Sequence, residues 1–146
     1  MNWLKWLFPS RPKIPSRPAP PLPPEGILAA FIEAHNDERG RLALPPLSSE
    51  PHLQVAATSK STEMASMGKM DHSGFPQRIY QAGYPPGGTI GENLAFGYTS
   101  PQAAVNAWMD DPPHRANVLN PAFRQLGGAA TSDADGRLYY CCDYGG

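Results

Sequence analysis

Little in this sequence would cross-link it, charge it strongly or carry it through a bilayer. Two cysteines occur in 146 residues, Cys141 and Cys142, and they are adjacent. Neighbours in sequence cannot staple distant loops together, and no CxxC spacing exists for a metal or redox centre. The 12 basic side chains nearly match the 13 acidic ones, leaving a formal net charge of −1. That balance carries no electrostatic footprint for nucleic acid, which is excluded as a partner. No repeat is present. The most concentrated apolar run, MNWLKWLF at residues 1–8, is far too short to span a membrane. It does not read as a signal peptide either, because Lys5 interrupts it and no A-x-A cleavage site follows. The fold must therefore hold by packing, and the length suits one domain with a core.

Proline, by contrast, is abundant, with 18 residues unevenly spread. Pro9, Pro12, Pro15, Pro18, Pro21 and Pro24 recur every third residue, the repeat of a polyproline II helix. At about 3.1 Å per residue, a rod over residues 9–24 would reach roughly 50 Å. The segment reads as a stiff spacer, although Pro12–Arg17 also fits a PxxPxR ligand pattern. Ahead of it, Trp3, Leu4, Trp6, Leu7 and Phe8 form an aromatic cluster suited to docking. The expected division is an anchor at 1–8, a linker at 9–24 and a domain at 25–146. The arm of residues 1–24 would dock on a partner protein or a membrane surface. The alternative is that it folds back on the domain.

Within the domain, Ile27, Leu28, Phe31, Ile32 and His35 share one helical face, predicting a helix over 25–41. Pro45-Pro46 ends it. Ser48 or Ser49 is the expected cap of a second helix, with Glu50 and Pro51 in its first turn. Leu53, Ala56, Ala57, Lys60, Met64 and Met67 mark its inner stripe. DHSG at 71–74 breaks the pattern, a short helix fits Phe75–Ala82, and a Gly/Pro loop runs to Gly91. Ser100-Pro101 opens a helix carrying Val105, Trp108 and Met109, and His114–Asn120 reads as one or two further turns. Gln125–Thr131 and Arg137–Tyr144 flank a turn with an Asp-Gly step, a β-hairpin signal. Helices first and strands last predict an α+β domain with helices covering a small antiparallel sheet.

Four groups stand at the ends of these elements, where sites collect: His72, Glu92, Asp111 and His114. Two imidazoles and two carboxylates can bind a metal, exchange protons or satisfy one another in a polar cavity. Spacing alone does not choose among these. Ser73 is the local hydroxyl for a hydrolase reading. Cys141 and Cys142, on successive positions of a strand, face opposite ways and read as packing residues. His35 and Asn36 are expected to bond buried backbone, His52 to lie on the surface and Trp108 in the core.

Several stretches together resemble the CAP superfamily of cysteine-rich secretory and pathogenesis-related proteins, in its compact bacterial branch, the SCP domain. They are HNDER (35–39), LPPL (44–47), DHSG, GENLAFG (91–97), WMDDPPHRANVLNPAF (108–123) and the final YY-x-x-D-Y-G. The resemblance covers about residues 26–146. It implies a three-layer α-β-α sandwich instead of the two layers read unaided. It also implies that His72, Glu92 and His114 surround a central cleft, with Asp111 where the family carries a second glutamate, one methylene longer. Some members bind zinc or another divalent ion through the two histidines, which here would be His72 and His114. The resemblance thus favours a binding module. The alternatives are a structural component docked through its arm, with a vestigial cleft, and a metal-dependent or serine-type hydrolase. Members usually work outside the cytoplasm, so an extracytoplasmic, membrane-surface or particle-associated location is expected.

Overall fold

The computed structural model describes residues 22–146; the anchor and nearly all of the linker lie outside the described residues. Helix α1 (Pro24–Arg41) begins with proline in its first turn and ends with Arg39 and Arg41 in its last, a polarity that suits the helix dipole. Its inner face buries Ile27, Phe31, Ala34, His35 and Arg39. Strand β1 (Ser48–Ser49) follows, so the two serines expected to cap the next helix pair with β3 instead. The cap of α2 (Pro51–Met67) is Glu50, whose carboxylate accepts from Leu53 N at 2.7 Å. Met67, placed on the inner stripe by its spacing, is exposed as the last residue of the helix. Helix α3 (Gln77–Gln81) is a single turn within the expected segment.

Strand β2 (Ile90–Phe96) escapes sequence patterning. Glu92, Asn93, Leu94 and Ala95 are all buried, so no polar–apolar alternation marks the strand. Helix α4 (Pro101–Met109) is capped as expected by Ser100, which accepts from Ala103 N at 3.1 Å. Helix α5 (Pro112–Val118) starts two residues before the expected His114. The chain closes with the hairpin β3 (Gln125–Ser132) and β4 (Leu138–Gly145).

The sheet order is β1-β3-β4-β2. Strand β4 is antiparallel to both neighbours, β1 is parallel to β3, and β2 forms an edge. Strand alternation divides the core. Tyr140, Cys142, Tyr144, Leu126 and Ala95 pack under α1, α4 and α5 with Phe31, Trp108 and Val118. Tyr139, Cys141, Ala129 and Leu94 pack under α2 with Ala57 and Met64. Gly127 and Gly128 allow both helical layers to approach. A Cβ on Gly127 would strike the backbone at Leu53, and one on Gly128 would strike Phe31. The domain is a three-layer α-β-α sandwich, and the two-layer reading is corrected: the sheet is covered on both faces.

Candidate functional site

The loop carrying His72 is fixed from below by a buried lysine. Lys60 Nζ donates to Asp71 Oδ1 (3.2 Å), Ser73 O (3.0 Å) and Ser73 Oγ (3.1 Å). Asp71 also accepts from Ser73 N at 3.0 Å and meets Lys69 Nζ at 2.9 Å. Bonds from Ser73, then from Lys69 and Lys60, hold the Asp71 carboxyl far below the usual carboxylate range. His72 projects from this frame with its side chain 57% exposed, and its Nδ1 lies 2.8 Å from Glu92 Oε1. Glu92 itself is buried on β2.

Behind Glu92 lies a second layer of polar groups. Its other oxygen accepts from Arg78 Nη2 of α3, and Cys141 Sγ lies 3.8 Å away. Asp143 stands opposite Glu92 across the β2–β4 ladder. Burial pushes the thiols of Cys141 and Cys142 well above their ordinary value, so these cysteines lack the thiolate character of a nucleophile. Among the described residues, Glu92, Cys141 and Asp143 are one group whose potential ligand atoms all lie within 4.8 Å of one another.

On the other face, Asn93 ties β2 to α5. Its Nδ2 donates to His114 O (2.9 Å) and to Tyr144 Oη (3.2 Å), while its Oδ1 accepts from Asn117 Nδ2 (2.9 Å). Asn117 Nδ2 also reaches Glu92 O at 3.1 Å, and Trp108 Nε1 donates to Leu94 O at 2.8 Å. These side chains satisfy carbonyls on the open side of an edge strand, which would otherwise invite further pairing. His35 completes the network, with Nδ1 2.7 Å from Phe31 O and Nε2 2.8 Å from Tyr144 Oη. A carbonyl can only accept, so Nδ1 carries the proton and Nε2 accepts from the tyrosine. Burial lowers His35 to about 4, keeping it neutral.

His114 extends from the first turns of α5, and its Nδ1 lies 2.7 Å from Asp111 Oδ2. Asp111 occupies the N-cap position of α5, yet its side chain makes no capping bond. At i,i+3 the shorter carboxylate reaches the ring. Asp111 and His114 line a cavity of about 290 Å³ with Met70, Phe96, Tyr98 and Trp108. A larger cavity of about 630 Å³, beside Arg115 and Leu119, touches none of the four groups.

The structure therefore arranges the four groups as two pairs, His72–Glu92 and Asp111–His114. No hydrogen bond joins one pair to the other among the described residues. Ser73 Oγ bonds Lys60 and Glu63 instead of a histidine. His35 and Asn36 bond buried backbone as expected, Asn36 clasping Leu47 through N (2.7 Å) and O (3.0 Å). His52 is half exposed, with Nδ1 2.8 Å from Glu50. Trp108 is 2% exposed. Sequence reasoning gave no role to Lys60 beyond its stripe, nor to Arg78, Asn117 or Asp143. An aspartate inside the apolar run YYCCDYG was the available signal, because on a strand it shares a face with Cys141.

The fold is a three-layer sandwich that carries two carboxylate–imidazole pairs. Residues 32–144 match CAP, the cysteine-rich secretory protein family, and the chain belongs to it. It is 35% identical over 100 residues to YkwD of Bacillus subtilis, covering 66% of this chain and 39% of that protein. It is 30% identical over 81 residues to a secreted protein of Candida albicans, covering 56% of this chain and 19% of that one. The chain thus spans well under half the length of these relatives. Among solved structures, an outer surface protein from Borrelia burgdorferi superposes with a TM-score of 0.68 at 23% identity, covering 79% of this chain and 87% of that one. A cysteine-rich secretory protein from Staphylococcus aureus gives 0.71 at 19% identity, covering 86% and 40%.

Proposed function

We propose that this domain is an extracytoplasmic binding module whose cleft takes a divalent ion, such as zinc, weakly through Nε2 of His72 and of His114. One observation carries the reading. Each ring has its Nδ1 beside a carboxylate, Glu92 or Asp111, and neither Nε2 has a hydrogen-bond partner among the described residues. The Glu92 carboxylate, hydrogen-bonded to the His72 ring, fixes that ring and its tautomer and raises its basicity as a ligand, while Asp111 stands 2.7 Å from the His114 ring. Two such imidazoles suit zinc, with the remaining positions left to water or a ligand. A CAP structure of 15% identity, NaASP2, was solved with Zn2+ (TM-score 0.59, covering 83% of this chain and 82% of that one), which supports the choice of ion. The location follows the relatives described as secreted or outer surface. Calorimetric zinc titration tests the site. Wild type should bind, and His72→Ala and His114→Ala should each abolish or sharply weaken binding. Unchanged affinity in both variants would overturn the reading.

The arm of residues 1–24 is proposed as the attachment to a partner protein or membrane surface, with its proline spacing holding the domain away from it. This rests on the sequence. Five apolar side chains contribute several kcal/mol on burial, enough for a partner groove and marginal for a membrane alone.

A further inference from the structure

Lys60 stands where packing alone would place another apolar side chain. It continues the inner stripe of α2 with Leu53, Ala56, Ala57 and Met64, and its side chain is fully buried. A buried ammonium is tolerated only where its charge and its donors are met. It has three donors and no acceptor. Its three hydrogen-bond acceptors are Asp71 Oδ1 (3.2 Å), Ser73 O (3.0 Å) and Ser73 Oγ (3.1 Å). Those residues flank His72 on both sides. The carboxylate of its own helix, Glu63, stands farther off at 3.6 Å. Each of these hydrogen bonds of Lys60 thus goes to the loop that carries His72.

Ser73 O also accepts from Arg78 Nη1 at 3.1 Å, and the other arm of that guanidinium bonds Glu92. One carbonyl therefore ties the seat of His72 to the cation that holds its carboxylate partner. His72 has little else to place it. Its side chain is 57% exposed, and its one hydrogen bond among the described residues joins Nδ1 to Glu92. Such a ring keeps a single orientation only while its backbone and its acceptor both stay fixed. We propose that Lys60 is a positioning residue: acting through Asp71 and Ser73, it holds His72 against Glu92. A carboxylate can only accept, so Nδ1 carries the proton and Nε2 is the bare nitrogen presented outward. The consequence for a metal rests on the proposed zinc site; the orientation of the ring does not.

Long-range proton–nitrogen NMR of the full chain at about pH 8.5, above the ordinary histidine range, reads the tautomer of each ring. In wild type, His72 should carry its proton on Nδ1. Lys60→Met keeps the reach of the side chain and removes its donors. His72 should then become a mixture of tautomers, and zinc should bind about tenfold more weakly, as when a partner behind a metal ligand is lost. His35 and His114 should keep their wild-type spectra. Lys69→Met, which removes the exposed cation paired with the same Asp71 carboxylate, should leave His72 unchanged. A merely structural lysine would lower the melting temperature and leave the His72 tautomer alone; that result would overturn the proposal, as would an equal effect from Lys69→Met. If Lys60→Met does not fold, wild type still decides. Its Lys60 ammonium protons should exchange slowly with water, and exchange as fast as that of surface lysines, or a His72 proton on Nε2, would overturn the proposal. A wild type that binds no zinc would remove the metal site, and the tautomer comparison would still test Lys60.

Discussion

Acidification should destabilise this domain through His35, by an amount that follows from the ring's surroundings. His35 donates from Nδ1 to Phe31 O and accepts at Nε2 from Tyr144. A second proton would put an N–H at Nε2 against the Tyr144 hydroxyl, whose own hydrogen would have to turn away from the ring. Full burial lowers the ring from 6.5 to about 4. The sign follows directly. The folded value is depressed, so the unfolded chain takes up a proton near pH 6.5 that the folded chain refuses. The stabilisation is complete above that pH and is lost as pH falls toward 4. At about 1.36 kcal/mol per unit, the interval amounts to about 3 kcal/mol, a large share of a small domain's stability. The assay is urea unfolding at several values from pH 7 to pH 4, on wild type and His35→Gln. The variant is less stable at pH 7, but the gap between the two should narrow by about 3 kcal/mol by pH 4. Carboxylates and exposed histidines titrate alike in both proteins and cancel in the difference. A gap independent of pH would refute the buried, neutral imidazole and the donor order built on it.

Trp108→Ala should cost about 3–5 kcal/mol, because it empties a ring stacked on Phe31 at 5.8 Å and leaves Leu94 O without its indole donor; a melting temperature that hardly moves would contradict the core assignment. Zinc affinity should fall steeply between pH 7 and pH 5, since an imidazole must be neutral to ligate, and calorimetry showing constant affinity would exclude the histidines as ligands. Deleting residues 1–24 should leave the melting temperature nearly unchanged while abolishing association with the partner or membrane. A large loss of stability would instead make the arm part of the fold.

The helices and the hairpin were legible because each carries a local signal: a proline in the first turn, an apolar stripe, an Asp-Gly turn. Strand β2 was not, since both its faces are buried and its polar residues point into networks that exist only after distant segments assemble. Glu92 shows the limit. Its sequence context marks it as a site residue, and His72 is one of the two partners that the motif suggests. His114, the other, turns to Asp111, a choice made by the i,i+3 geometry of α5 that spacing alone could not rank against a cross-sheet contact. Arg78 and Asp143 reach Glu92 from a one-turn helix and the last strand, and neither carries a pattern pointing there. A charged residue inside an apolar run is nevertheless a demand that some partner be found. The physical chemistry states the demand at Glu92 and again at Asp143; the fold supplies one guanidinium for both.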